Sequence, residues 1–473
     1  MFVNIPNIKW PFILPLVLCL TCLYLTHLIP SFQSGDEFDH IERGYLLSKG
    51  IIVQPLKNNP AHNVPKVMTW EDIYRYRGET GGVINAGLYD YMVAHEGLIK
   101  DLTFKMTIKQ RQAAKKIQWS KKKVYRTAPG TSIYFPMIYI PHAVGFWLGE
   151  HMGLSIDNTY FLIKYILIFC IAAALFYAFS LYPTNPLVVF LLFMPMSLYQ
   201  FSSGSIDGIS TALTVLAISM FLKMINTPKA CSYLFLSGLV VIVCALTTSR
   251  LQAMPLWVCL FYYAFKRGDL KALLLISASL LMAILWYVYI LSTKSFFSDT
   301  GNSTVETILF YTTHLNLFYD MLSTTLSNAE IRGYYLHGLI AKVGWHGGTQ
   351  YFSSFFYVLT FSFGYVMALM SFSMKHFKQN WQPRLCLIIV MILSIAVIFL
   401  SMLFTYTPMS SEIVMGVQGR YFLIPLLFFT YAIGGEIKFS EGGRRKFGVG
   451  LLMFHVFMSV NELSTGLLLR YYN

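Results

Sequence analysis

The chain has 473 residues, of which 56% are hydrophobic, 16% aromatic and only 12% charged. Soluble globular proteins carry about 25% charged residues, so the composition excludes an ordinary soluble protein and indicates that lipid is the main solvent. The formal net charge is +14, but the positive residues lie in short loops and one basic run. This distribution argues against nucleic acid as a partner and favours membrane lipids with anionic headgroups.

Eleven apolar stretches are predicted to cross the membrane as helices. They cover residues 11–30, 158–180, 186–201, 209–225, 231–249, 252–265, 271–292, 351–374, 385–406, 420–437 and 447–468. The first stretch has no small-residue cleavage site before Gly35, so we expect an uncleaved signal anchor rather than a signal peptide. The predicted fold is an all-α polytopic membrane protein, with residues 1–473 as a single domain.

The apolar segment 133–149 decides the topology. It contains Pro136 and Pro141, each of which removes a helical hydrogen bond that lipid does not replace, so we expect this segment to lie at the outer surface. The N-terminus is then cytoplasmic, the C-terminus is external, and thirteen positive residues fall on the cytoplasmic side of an inner membrane, as the positive-inside rule requires. They are Lys9, Lys223, Lys229, Lys266, Arg267, Lys271, Lys375, Lys378, Arg384, Lys438, Arg444, Arg445 and Lys446.

Two long external regions follow from this topology, residues 31–157 and 293–350, and both are large enough to cover a cavity in the membrane. The first contains a strongly basic run over residues 104–126. We expect this run to form an interfacial helix on anionic lipid. It could also attract an anionic lipid-linked substrate, or form only a solvated charged face.

An acidic motif, "DEFDH", directly follows the first span and places Asp36, Glu37, Asp39 and His40 near the membrane surface. Paired acids at a lipid boundary acquire raised pKa values through desolvation and mutual repulsion, which suits a general base. The alternative is a helix N-terminus, with Asp36 as the cap and Asp39 in a capping-box-like position.

Three further charged residues are predicted at the same outer face. Asp207 lies between the third and fourth spans, Arg250 near the sixth and Arg420 near the tenth. Arginine at a lipid boundary is costly unless it pairs with an anion such as phosphate or carboxylate. The alternatives are that Asp207 caps a helix and that the arginines extend to the headgroups. Gly419, beside Arg420, allows close backbone approach.

Several common signals are absent from the sequence. There is no Walker A loop, no GxSxG, no HExxH and no continuous charged path through the spans. The eleven histidines have no ligand spacing, and the seven cysteines all lie in apolar segments. We therefore expect neither a metal site nor a disulfide in the loops.

Five motifs occur in order over nearly the whole chain: "DEFDH", "YFPMIYIPHAVGFWLG", "PMSLYQFSSGSIDG", "KVGWHGG" and "GVQGRYFLIPLL". Together they resemble a bacterial family of multi-pass membrane proteins of unknown function, which in turn resembles the GT-C glycosyltransferases. Those enzymes place an acidic residue after the first span and membrane-parallel helices in the first external loop. Their donors are polyprenyl-phosphate sugars used outside the cytoplasm.

The resemblance implies a GT-C-like fold and an inverting glycosyltransferase without a cofactor. Its donor would be a polyprenyl-phosphate sugar, and its acceptor a lipid-linked glycan or a surface polysaccharide such as O-antigen lipopolysaccharide. Asp36 or Glu37 would be the catalytic base. The substrate-binding residues would be His40, Asp207, Arg250, Arg420 and Tyr421. Relatives often have an acid after the tryptophan of "GWHGG", so the roles of Trp345 and His346 stay open.

Two other functions fit parts of the sequence. A transporter or flippase for lipid-linked saccharides would place polar residues at mid-membrane on several spans, and such residues are sparse. A polysaccharide polymerase or ligase also uses external arginines. The early "DEFDH" motif favours the glycosyltransferase over the polymerase or ligase.

Overall fold

The computed structural model describes residues 10–55, 80–227, 232–293, 304–345, 348–372, 374–409, 411–434 and 443–472. These residues are almost entirely helical and include one two-stranded antiparallel sheet. Of the residues discussed above, Lys9, Lys229, His346 and Lys438 lie outside the described part of the chain. The all-helical prediction is thus correct in outline, with one small sheet added.

The first 181 residues begin and end with a long apolar helix, and shorter elements lie between the two. They are α1 (Trp10–Leu28), α2 (Glu37–Ser48), β1 (Gly81–Asn85), α3 (Ala86–Lys100), α4 (Ile108–Lys115), β2 (Lys123–Thr127), α5 (Pro129–Ser132), a 3-10 helix (Pro136–Tyr139), α6 (Ile140–His151) and α7 (Ile156–Leu181).

The remaining two thirds alternate long apolar helices with short ones. They are α8 (Pro186–Leu192), α9 (Pro195–Phe201), α10 (Asp207–Asn226), α11 (Tyr233–Thr247), a 3-10 helix (Leu251–Ala253), α12 (Leu256–Arg267), α13 (Leu270–Thr293), α14 (Thr304–Thr313), α15 (Leu315–Ser327), α16 (Ala329–Ile340), a 3-10 helix (Thr349–Tyr351), α17 (Ser354–Ser371), α18 (Met374–Gln379), α19 (Trp381–Thr405), a 3-10 helix (Gly419–Phe422), α20 (Leu423–Ile433) and α21 (Gly443–Tyr471).

Six helices of the described chain, in α7, α10, α13, α17, α19 and α21, are long and apolar enough to cross a membrane. Three more predicted spans correspond to shorter apolar helices. The other two differ from the prediction: the stretch 186–201 is divided between α8 and α9, and α12 has only 12 residues. The physical reason is proline, because Pro195 and Pro255 stand at helix starts, where the missing N–H is tolerated.

The basic run 104–126 does not form the predicted single interfacial helix. It contains the eight-residue helix α4, which begins after a Thr107 capping box, and strand β2. Strand β2 pairs with β1, Gly81 opposite Thr127 and Asn85 opposite Lys123. This pairing brings Arg126 to α2, where its Nη1 lies 2.8 Å from Asp39 and 2.5 Å from Glu42. The sheet register therefore replaces a lipid-facing helix by an ion-paired strand.

The segment 133–149 is broken, as its prolines predict. It consists of the 3-10 helix and the twelve-residue helix α6, well short of the roughly 20 residues that a span requires. Helix α6 packs closely against α2, because a Cβ at Gly44 would overlap the side chain of His142. Near the start of the segment 133–149, the N–H of Phe135 donates to the carbonyl of Thr248, 3.1 Å away.

The last helix ends beside the end of the first. The Tyr472 hydroxyl donates to the Leu28 carbonyl at 3.2 Å. The fully buried Arg470 guanidinium donates to the carbonyls of Leu98, Asp101 and Phe104, at 2.5, 3.1 and 3.0 Å. The C-terminal ends of α1 and α21 therefore lie at the same end of the molecule, together with residues 98–104.

Candidate functional site

The turn between α1 and α2 holds Asp36 in an unusual backbone conformation. Phe32 and Asp36 are the non-glycine residues with positive φ in the described chain, at 65° and 61°. Such conformations cost about 1–2 kcal/mol each and persist where the surroundings fix them. Here the Phe32 N–H donates to the Tyr160 hydroxyl at 3.0 Å, and the Phe32 ring stacks on Phe38 at 4.6 Å between centroids. The backbone and the side chain of Phe32 thus both fix the conformation of the turn.

Asp36 precedes α2 but does not cap it. Its carboxylate makes no hydrogen bond to the backbone of that helix, so the capping interpretation of this residue is wrong. Instead, Asp36 Oδ2 lies 3.3 Å from Arg420 Nη2. The Asp36 side chain is 55% exposed, whereas that of Arg420 is 8% exposed. A buried cation therefore holds a carboxylate that a ligand can reach.

Glu37 has a different environment from that of its neighbour. Its buried carboxyl accepts hydrogen bonds from the Ser34 N–H at 2.9 Å, from the Tyr160 hydroxyl at 2.6 Å and from the Gly204 N–H. A Cβ at position 204 would lie 2.7 Å from Glu37 Oε1. Glu37 thus fastens the start of α2 to the loop before α10, and the structure separates the two acids that the sequence left equivalent.

Asp207 joins two arginines. It forms an ion pair with Arg250 Nη2, and its Oδ2 lies 3.6 Å from Arg420 Nε. The side chains of Asp207 and Arg250 are 9% and 11% exposed. The alternative in which the arginines extend to the headgroups is therefore wrong, because both are buried against carboxylates. The position of Asp207 in the first turn of α10 also places its charge favourably in the helix dipole.

His40 and Tyr421 flank this charged cluster. The Tyr421 ring lies 5.5 Å from the Arg420 guanidinium carbon. His40 Nδ1 is 2.8 Å from the Tyr139 hydroxyl, and its ring is near that of Tyr134, which lies 5.9 Å from the Arg250 guanidinium. Burial, and then the positive charge of Arg250, hold the pKa of His40 well below its usual range. The ring is therefore neutral at pH 7, available for hydrogen bonding rather than charge pairing.

The electrostatics of Asp36 differ from those of an ordinary surface carboxylate. Crowding by protein raises its pKa above the usual value, Arg420 opposes this, and the negative charges of Asp39 and Asp207 add to the rise. A base with a raised pKa accepts a proton more readily in the transition state. Gly35 makes room for the pairing, because a Cβ there would overlap the Arg420 guanidinium.

The structure brings all seven predicted site residues to one end of the helices. Residues 19–430, which contain every one of them, match the family described as predicted membrane protein (DUF2142). The chain belongs to this family. The predicted membrane character and the resemblance to a membrane family of unknown function are thereby confirmed. No curated protein and no solved structure matches the chain, and the GT-C fold stays a prediction.

In this family member, sequence reasoning missed the lysine of the "KVGWHGG" motif. Lys342 is 8% exposed, and it is close enough to Arg420 for that charge to act on its pKa. A single lysine in a long external region carries no sequence signal. The motif around it was the available clue. Within the described ranges, no group of three His, Cys, Asp or Glu residues is arranged to hold a metal ion.

Proposed function

We propose that this protein is an inverting membrane glycosyltransferase of the GT-C type on the external face of the bacterial inner membrane. It transfers a sugar from a polyprenyl-phosphate donor to a lipid-linked glycan or surface polysaccharide. One observation carries the proposal: the accessible carboxylate of Asp36 lies 3.3 Å from the buried guanidinium of Arg420. A positioned base beside a phosphate-binding cation is the minimal equipment for this reaction.

The proposed reaction follows from these two groups. The acceptor hydroxyl oxygen attacks the anomeric carbon, its proton passes to Asp36, and the bond between the anomeric carbon and the phosphate oxygen breaks. Arg420 pairs with the donor phosphate, and protonation, which neutralises Asp36, strengthens this pairing as the phosphate departs with the bonding electrons. Asp207 holds Arg250 and Arg420 in place through its two ion pairs.

The topology that this function needs is eleven crossings with an external C-terminus. It is supported by the thirteen positive residues that this topology assigns to the cytoplasmic side. It is also supported by the contact between the ends of α1 and α21, because a first and a last spanning helix that run parallel require an odd number of crossings. We expect alkaline phosphatase fused after Asn473 to be active. An inactive phosphatase together with an active cytoplasmic reporter at the same position would contradict this topology.

The activity is tested with purified protein, a panel of radiolabelled polyprenyl-phosphate sugars and a lipid extract of the cell envelope. We expect label from one donor to appear in a lipid-linked glycan, and we expect no transfer from nucleotide sugars. A transporter would bind the donor without forming a product. Absence of transfer across the whole panel, with active transport of the same lipids in vesicles, would favour that alternative.

Arg420→Met is expected to weaken donor binding by about ten- to a hundredfold, because the phosphate loses a charge-assisted hydrogen bond worth about 1.5–3 kcal/mol. Turnover at saturating donor should fall less. The measurement is the dependence of the initial rate on donor concentration. The matched control is Arg267→Met, which changes an exposed arginine at the C-terminal end of α12. Unchanged donor affinity in Arg420→Met would remove Arg420 from the phosphate site.

A further inference from the structure

The segment 341–345, which includes the first four residues of the "KVGWHGG" motif, is bonded to the turn that carries Asp36. The Trp345 indole N–H donates to the Phe32 carbonyl at 3.2 Å. The Gly344 N–H donates to the Tyr199 hydroxyl at 3.2 Å, and that hydroxyl donates to the Gln33 carbonyl at 2.7 Å. The segment therefore has a fixed position relative to the base.

The same segment is fixed relative to Arg420. Helix α16, which ends two residues before Lys342, packs directly on the 3-10 helix that contains Arg420. A Cβ at Gly419 would overlap the Tyr335 carbonyl, and a Cβ at Gly338 would lie 3.3 Å from the Gly419 nitrogen. Backbone contact this close requires glycine at position 419 and leaves little room for a side chain at position 338. It places Lys342 beside the arginine rather than at the free surface.

Lys342 is a buried cation without a carboxylate partner among the described residues. Its Nζ lies 3.5 Å from the Tyr334 hydroxyl and 5.5 Å from the centre of the same ring. Burial, and then repulsion from Arg420, lower the pKa of Lys342 to about 8. A buried ammonium without an ion-pair partner is costly, and a bound anion would remove that cost.

Arg420 and the charged residues near it also include more cations than carboxylates. Arg250 and Arg420 have the carboxylates of Asp36 and Asp207 as ion-pair partners. Lys342, whose pKa is lowered by the charge of Arg420, adds one further positive charge to these two balanced pairs. The phosphodiester of a polyprenyl-phosphate sugar carries one negative charge and would balance it.

We propose that Lys342 is a third cationic ligand of the lipid phosphate, which stabilises the negative charge that develops on the phosphate as the sugar departs. This inference rests on the proposed function and assigns a role to the "KVGWHGG" motif. The departing group is a phosphate monoester, which gains a second negative charge while Asp36 takes the acceptor proton. An interaction that strengthens during this step accelerates it.

The test uses the purified full-length protein and two probes, farnesyl phosphate and farnesol. We expect the wild type to bind the phosphate more tightly than the alcohol. Lys342→Met and Lys342→Gln should weaken phosphate binding by about ten- to a hundredfold without changing alcohol binding, and Lys342→Arg should keep most of it. Lys100→Met, at a lysine whose side chain is 69% exposed, is the control and should bind as the wild type does.

Stability without ligand gives a second measurement. Because Lys342→Met removes an unpaired buried charge, its unfolding temperature should equal or exceed that of the wild type. A lower unfolding temperature with unchanged phosphate affinity would make Lys342 a structural residue and overturn the inference. Unchanged affinity in Lys342→Met, with weakened affinity in Arg420→Met, would overturn it and leave the proposed function intact. A wild type that does not prefer the phosphate to the alcohol would contradict the proposed donor class itself.

Discussion

Asp36→Asn is expected to lower the turnover of sugar transfer by about a hundredfold or more, because the amide does not accept the proton of the acceptor hydroxyl. Folding should be preserved, since the side chain is 55% exposed and makes no backbone hydrogen bond to α2. Donor affinity should change little or increase, because the substitution removes a negative charge beside Arg420. The measurement is kcat together with donor KM.

The pH profile gives an independent measurement of the same role. The base must be deprotonated to act, so the wild-type rate should rise with pH through the raised pKa of Asp36. The residual activity of Asp36→Asn should lack this rise. Asp90→Asn, at an exposed acid on α3, is the matched control. A wild-type turnover in Asp36→Asn would exclude this carboxylate as the base.

Glu37→Gln is expected to lower stability rather than act on the chemistry directly. The buried Glu37 carboxyl accepts three hydrogen bonds, and an amide in its place turns one acceptor oxygen into a donor that faces another donor. Each lost hydrogen bond to an ionised carboxylate costs about 1.5–3 kcal/mol, so we expect a loss of about 3 kcal/mol in the free energy of unfolding. Thermal unfolding of the purified protein measures it.

The control for Glu37 is Tyr160→Phe. It removes one of the three donors to the carboxyl and the acceptor of the Phe32 N–H. The other two hydrogen bonds of Glu37 remain and no donor is placed against another donor, so Tyr160→Phe should destabilise the protein less than Glu37→Gln. A Glu37→Gln protein that is as stable as the wild type but inactive would reverse the assignment, and Glu37 rather than Asp36 would become the candidate base.

The gathering of the site residues at one end follows from the sequence, because each lies at the end of an apolar stretch and the count of stretches fixes the side. The difference between Asp36 and Glu37 does not follow. Asp36 stands before α2 in a left-handed backbone conformation, whereas Glu37 is the first residue of that helix, so one carboxyl faces Arg420 while the other faces the protein interior. The orientation of α2 is set by packing against α6 and by the ion pairs of Arg126, which pattern alone does not reveal.

The sequence also did not predict that Asp207 pairs with two arginines. This pairing depends on the side-chain positions of three residues on separate elements. The small sheet was missed for a similar reason. Residues 123–127 are part of a lysine-rich run whose composition suggests a helix, and only pairing with β1 makes them a strand. Both the ion pairs of Asp207 and the strand at residues 123–127 depend on contacts between segments that are distant in the sequence.

The contacts of Arg470 set an order for biosynthesis. The carbonyls of Leu98, Asp101 and Phe104 find their donor in a residue that is synthesised more than 350 positions later. During translation these carbonyls are solvated or otherwise paired until Arg470 itself has been synthesised. A chain that stops before Arg470 therefore leaves these three carbonyls without this donor, and we expect the end of α3 to be less stable in it.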